Sequence, residues 1–246
     1  MLAVIRILLI SILSVFICIF GSVYCLLSPR NPAHAAILSR FFSRMAPVFG
    51  IQIELRQPLR KQLAKNYIYV SNHQNNYDLI LLTYVVKPRT ITVGKRSLLW
   101  IPLFGLLYWL TGNLFIDRNN ILGSHNAIVK LASRVKREDI SLWIFPEGTR
   151  SRGRGLLPFK TSVFYAAIFA GVPIVPVCVS NTVGKIKLNR LYNGVVLIEI
   201  LPPLETVSYN IKQVRMFTEY CYNLMKTKIY ELNTEIAARD LSNKSD

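Results

Sequence analysis

The chain has 246 residues, of which 52% are hydrophobic, and a formal net charge of +17. That length supports one packed domain with some chain left over for a membrane-contacting segment. A polar basic chain would point to nucleic acid, whereas a greasy basic one points to anionic lipid or another anionic, fatty partner. The charge is uneven: residues 87–160 carry thirteen Lys/Arg against four acids, and residues 205–246 carry six of each. Cys18, Cys25, Cys178 and Cys221 form neither a C-x-x-C pair nor a Cys/His cluster with metal-ligand spacing. A disulfide scaffold and a zinc site are therefore not expected, and the body should reside in a reducing compartment. No internal repeat suggests a solenoid or propeller.

In chain order, the uncharged run Ile7–Leu27 is long enough as a helix to cover about 30 Å of hydrocarbon. A signal peptide would have a shorter apolar core and an A-x-A-like site, which is absent around Gly21–Ser28, so the run reads as a retained anchor. A buried core helix is the alternative. After the break Ser28–Pro32, the stretch Ala35–Ile51 places Arg40 and Arg44 on one helical face, with Phe41, Phe42, Met45 and Val48 filling much of the remainder. That pattern suits a helix lying at a membrane interface. Lys and Arg are richer on the C-terminal side, which would be cytoplasmic if the anchor spans; the sequence leaves spanning and dipping both open. The expected organisation is residues 1–50 as membrane-associated helices, 51–240 as the main domain and 241–246 as a solvated tail.

From residue 51 the pattern alternates. Expected strands are Gln52–Arg56, Tyr67–Ser71, Thr90–Gly94, Leu114–Asp117, Ser141–Phe145, Ile174–Ser180 and Val195–Leu201, rich in Val, Ile, Tyr and Phe and bounded by Gly, Pro or Asn. Expected helices are Leu79–Val86, Ser97–Leu110, Ile121–Lys136, Thr161–Ala170 and Val207–Ala238. Alternation of this kind predicts an α/β domain with a mostly parallel sheet covered by helices, whose sites gather just past strand ends. Leu98–Gly112 is apolar nearly all round. It suits a core helix, a second membrane-facing patch or the wall of an acyl pocket.

Four stretches carry chemistry. In "SNHQNNYD" (Ser71–Asp78), His73 and Asp78 are five apart and would not meet on a continuous helix. They meet only if the intervening "QNNY" turns, which asparagines favour. Asp78 then either caps the following helix only or also accepts a hydrogen bond from the His73 ring, leaving Nε2 as a base. In "IFPEGTRSRGRG" (Ile144–Gly155), Gly148 allows close backbone approach, Thr149 offers a hydroxyl and Arg150 a forked cation, a set suited to phosphate. No P-loop pattern is present. "VGKRS" and "GNLFIDR" each offer one cation past a strand, Lys95 and Arg118. "VPIVPVCV" (Val172–Val179) reads as structure or pocket wall. A nucleic-acid module is not visible despite "RGRG" at Arg152–Gly155.

Together and in order, "NHQNNYD", "GNLFIDR", "FPEGTRS" and "VPIVPV" resemble the four motif blocks of the glycerolipid acyltransferase family, most closely its bacterial branch that acylates lysophosphatidic acid. The blocks cover roughly residues 72–177. The resemblance implies the glycerolipid acyltransferase fold and transfer of a fatty acyl chain from acyl-CoA or acyl-acyl carrier protein to the sn-2 hydroxyl of lysophosphatidic acid, giving phosphatidic acid. It implies His73 as general base and Asp78 as its orienting partner. Arg150 would hold the acceptor phosphate, with Lys95 and Arg118 as further candidates beside Gly148 and Thr149. Glu147 would touch the glycerol or hold the loop. No metal and no resident cofactor are implied. The implied partners are lysophosphatidic and phosphatidic acid, acyl-CoA, acyl carrier protein and an anionic membrane surface, not nucleic acid. The implied location is the cytoplasmic face of the inner membrane.

Overall fold

The computed structural model describes residues 1–58, 66–116 and 125–242. Seven strands among them form one sheet: β1 (Ile51–Arg56), β2 (Ile68–Ser71), β3 (Thr90–Lys95), β4 (Leu114–Ile116), β5 (Ser141–Ile144), β6 (Ile174–Val179) and β7 (Gly194–Ile200). Their order is β1-β7-β6-β2-β5-β3-β4, parallel except where β6 meets β7. All seven expected strands are present. β1 and β7, paired in parallel, run opposite to the other five strands.

Side chains alternate across the strands, so each strand feeds two cores. Ile68, Val70, Leu142, Ile144 and Ile174 face a core with Phe164, Phe217 and Met225. That side is covered by α5 (His125–Glu138), α6 (Thr161–Ala170) and α7 (Val214–Ser242). Tyr67, Tyr69, Trp143, Val175 and Val177 face the other way, against Leu81, Leu82, Val85 and Phe49. Leu81 belongs to the short helix α3 (Asp78–Leu81), which continues as a 3-10 turn at Leu82–Val85.

The N-terminal helices pack on this body. α1 (Leu2–Leu26) is the one helix among the described residues long and apolar enough to cross a membrane. Near its start, buried Arg6 donates to the carbonyls of Leu188 and Leu191, at 2.9 and 2.8 Å. Near its end, Gly21 lets α1 approach α2 (Ala33–Ser43) and α4 (Phe104–Leu110): an added Cβ would lie 2.9 Å from Leu38 and 3.1 Å from Leu107. Both ends therefore rest on the same body, and α1 lies along it. Its outward side, including Ile5, Leu8, Ile12, Phe16, Ile19, Phe20 and Val23, is exposed. Arg40 of α2 and Arg44 just past its end are exposed, and the Arg44 guanidinium lies 5.6 Å from the Phe41 ring.

Several expected helices differ in extent. Ala35–Ile51 stops at Ser43 and resumes as a 3-10 turn, Ala46–Phe49, with Pro47 removing an N–H. Ser97–Leu110 is split into a 3-10 turn, Arg96–Trp100, and α4, because Pro102 cannot continue a helix. Val207–Ala238 starts at Val214, after a capping box in which Asn210 and Gln213 satisfy each other's backbone groups. The end of the expected strand at Asp117, residues 121–124 of the expected helix, and 243–246 of the expected tail lie outside the described residues.

Candidate active site

β2 is flanked in parallel by β5 and β6, so its C-terminal end opens at the middle of the sheet, where side chains from neighbouring strand ends converge. His73 follows that end and is buried. The chain then turns through Gln74–Tyr77, as the spacing requires, and brings Asp78 back under the ring. Asp78 Oδ2 lies 2.7 Å from His73 Nδ1. The same oxygen accepts the main-chain N–H groups of Gln74, at 2.6 Å, and Asn75, at 3.1 Å. Asp78 thus braces the loop before its helix and makes no cap bond within that helix. With three donors converging on one carboxylate oxygen, the Nδ1–H tautomer is favoured and Nε2 is the nitrogen left for a proton.

Other contacts fix the loop from outside. Asn72, one residue before His73, mimics a strand partner: its Nδ2 donates to the Val179 carbonyl at 3.0 Å, and its Oδ1 accepts the Val179 N–H at 2.9 Å. Gln74 repeats this one step on, donating to the Ser180 carbonyl at 2.9 Å and accepting the Thr182 N–H at 3.0 Å. From β5's side, Ser151 N–H donates to the His73 carbonyl at 2.8 Å, and Arg152 N–H to that of Gln74 at 3.1 Å. The Phe145 ring stacks on the His73 ring, with centroids 4.0 Å apart and planes 15° from parallel.

Glu147 is buried beneath this arrangement. Its two carboxylate oxygens accept the N–H groups of His73, at 2.7 Å, and Leu157, at 3.0 Å. Burial pushes its carboxyl up to about 7, partly offset by those two hydrogen bonds. Of its two expected roles, this geometry matches holding the loop. Gly148 has φ +71, and the Lys160 side chain lies across it: a Cβ there would come within 2.9 Å of Lys160 Cε. Thr149 and Arg150 are exposed at the tip of the loop.

A cavity of about 480 Å³ opens at His73. Its polar wall includes His73, Asn75, Asn76, Asp78 and Arg150, with Ser14, Thr92 and Tyr108 elsewhere, and the rest is mostly apolar: Val15 and Cys18 of α1, Val93 of β3, Leu98, Ile101, Leu103, Phe104, Trp143 and Phe145. The structure brings His73, Asp78 and Arg150 to one cavity. Lys95 is exposed at the end of β3, next to the lining residue Gly94 but not itself in the wall. Arg118 lies outside the described residues. Sequence reasoning passed over Phe145, Asn72 and Gln74. For Asn72 and Gln74 the one signal was an unbroken polar run directly after a buried strand, which asks for partners. Among the described residues no group of three or more His, Cys, Asp or Glu side chains could hold a metal ion.

The chain belongs to the acyltransferase family, whose sequence model matches residues 50–180 and so spans the strand ends that carry His73, Asp78 and Arg150. It is 54% identical to the 1-acyl-sn-glycerol-3-phosphate acyltransferase of Escherichia coli, over 99% of this chain and 100% of that one. Identity to the Haemophilus influenzae protein of the same name is 49%, over 96% and 99%. With the human alpha form it is 31%, over 89% and 78%. The crystal structure of the 1-acyl-sn-glycerophosphate (LPA) acyltransferase from Thermotoga maritima shares the fold, with a TM-score of 0.72 at 22% identity, covering 94% of this chain and 97% of that one.

Proposed function

We propose that this enzyme transfers a fatty acyl group from a thioester, acyl-CoA or acyl-acyl carrier protein, to the sn-2 hydroxyl of lysophosphatidic acid, giving phosphatidic acid. The observation that carries the reading is the 2.7 Å pairing of His73 Nδ1 with Asp78 in the wall of a mostly apolar cavity that also has Arg150 in its wall. His73 Nε2 takes the proton of the acceptor hydroxyl as its oxygen attacks the thioester carbonyl. The tetrahedral oxyanion collapses, the C–S bond breaks, and the imidazolium returns the proton to the departing thiolate. Asp78 stabilises that imidazolium. The thioester brings its own activation, so the step calls on no metal or resident cofactor. Arg150, with Lys95 and Arg118 as additional cations, holds the acceptor phosphate. The apolar wall takes the acyl chain.

The placement of α1 supports a location within one leaflet. Both its ends rest on the catalytic body while its outer side is apolar and exposed, so it would lie in the plane of the membrane. We place the enzyme on the cytoplasmic face of the inner membrane. That side suits the free cysteines and would supply either donor.

The test is purified enzyme in lipid vesicles with lysophosphatidic acid and a labelled donor, read as phosphatidic acid, with glycerol 3-phosphate and other lysophospholipids as competing acceptors. His73→Ala should abolish transfer in a folded, membrane-bound protein, and near-normal activity would refute the mechanism. Arg150→Ala should chiefly raise the KM for the phosphate-bearing acceptor, and an unchanged KM removes its assigned role.

A further inference from the structure

Beside α1 the fold exposes a second apolar surface that the chemistry above leaves unused. Between β3 and α4 the chain passes through the 3-10 turn Arg96–Trp100 and a short link to Phe104. Trp100 is 81% exposed, and Leu99 beside it is also exposed. Leu106 and Trp109 of α4 extend the patch. A contiguous apolar surface of this kind, carrying a tryptophan, marks an interaction site rather than scattered surface residues.

The segment is built, not slack. Gly105 N–H donates to the Ile101 carbonyl at 2.9 Å. A Cβ on Gly105 would lie 2.2 Å from the Leu99 carbonyl oxygen, so the turn is seated directly on α4. Leu103 is held at φ +62, a conformation leucine rarely adopts. These constraints hold Trp100 outward. The segment's other side faces inward: Leu98, Ile101, Pro102, Leu103 and Phe104 line the cavity that contains His73. One short stretch therefore separates the cavity from whatever covers the patch.

Three observations identify the cover as lipid. α4, which carries Leu106 and Trp109 of the patch, packs against α1 at Gly21–Leu107, so the patch and the exposed apolar side of α1 belong to neighbouring helices. Lys95 and Arg96, both exposed, stand at its edge where headgroup phosphates would lie. The Arg30 guanidinium sits 5.1 Å from the Trp109 ring, adding a cation beside an interfacial aromatic. We propose that Arg96–Leu103 is a second membrane-inserting element, covered by an anionic leaflet, and that it forms the threshold over which the lipid acceptor passes sideways into the cavity.

The experiment compares the full-length chain with Trp100→Phe on vesicles of phosphatidylglycerol and phosphatidylethanolamine, with and without bromine on the acyl chains. A blue-shifted, bromine-quenched emission component should be present in the wild type and lost in Trp100→Phe. Equal quenching of the two proteins overturns the proposal, as does a blue shift that follows protein concentration without lipid, which would mean that a second copy covers the patch. A kinetic arm rests on the proposed reaction. Trp100→Glu should raise the apparent KM for long-chain lysophosphatidate in vesicles by about tenfold, while kcat for a monomeric short-chain acceptor stays within about twofold. Equal loss on both acceptors would make Trp100 a structural residue and overturn the threshold. Absence of transfer to any acceptor would instead refute the proposed reaction and leave the fluorescence result to decide membrane insertion alone.

Discussion

Replacing Asp78 by Asn separates charge from shape at the centre of the site. Asp78 Oδ2 receives three donors: His73 Nδ1–H, Gln74 N–H and Asn75 N–H. An asparagine will turn its oxygen to that point, because its amide nitrogen would meet only other donors there. The loop and the His73 tautomer survive, and the negative charge does not. In the proposed reaction, the imidazolium formed when His73 takes the hydroxyl proton then lacks its counter-charge. With the two charge centres about 4 Å apart and an effective dielectric of about 20, their attraction is worth about 4 kcal/mol. The amide dipole recovers part of this, leaving a loss of about 3–4 kcal/mol, so kcat should fall about 10²–10³-fold. Exchanging three charge-assisted bonds for neutral ones should lower stability by no more than about 3 kcal/mol. The assay is kcat at saturating donor and acceptor, beside unfolding in detergent. A folded Asp78→Asn enzyme keeping more than about a tenth of wild-type kcat would show that Asp78 serves the loop and not the proton transfer.

Three further outcomes follow from neighbouring contacts. Because burial raises the Glu147 carboxyl to about 7, the folded chain holds a proton there that the unfolded chain releases near its ordinary value of about 4.3. That contribution is present below pH ~4.3 and lost as pH rises through about 7, so wild-type stability should decline across this window relative to Glu147→Gln; parallel unfolding curves would refute it. Gly105→Ala should displace the Leu98–Leu103 turn and destabilise the chain by about 1–3 kcal/mol, measured by thermal unfolding, since the new Cβ meets a carbonyl with no room to yield. Arg6→Ala should free the loop around Leu188–Leu191, lowering stability by about 2–3 kcal/mol and exposing that loop to protease, and unchanged cleavage would disprove the latch.

The central strands β2, β5 and β6 could be read from sequence because they are buried on both faces, which forces short apolar, β-branched runs with sharp polar ends. Helix extents were harder, since local chemistry overrode periodicity at Pro102 and at the Asn210–Gln213 box. Within the site, the His73–Asp78 pair could be read because both partners lie in one short loop. Glu147 could not be assigned that way: its acceptors serve N–H groups 74 and 10 residues away, and only the register of β5 beside β2 brings them together. Phe145 looked like the last residue of a strand, and its stacking on His73 likewise depends on that register.

The polar neighbours of His73 explain why the loop holds its shape without a longer helix. Strand β2 ends at Ser71, yet Asn72 and Gln74 carry its pairing with the β6 side onward through their side chains, to Val179, Ser180 and Thr182. Alternation along an extended chain then turns His73 the opposite way, onto Phe145 and toward Asp78. Apolar residues at 72 and 74 could fill the same volume but would leave the main-chain groups after β6 unpaired in a buried place. Serine would be too short to reach them. Residues with amide side chains, which both donate and accept at the right length, are what this position demands, so Asn72 and Gln74 are part of the device that aims the His73 ring.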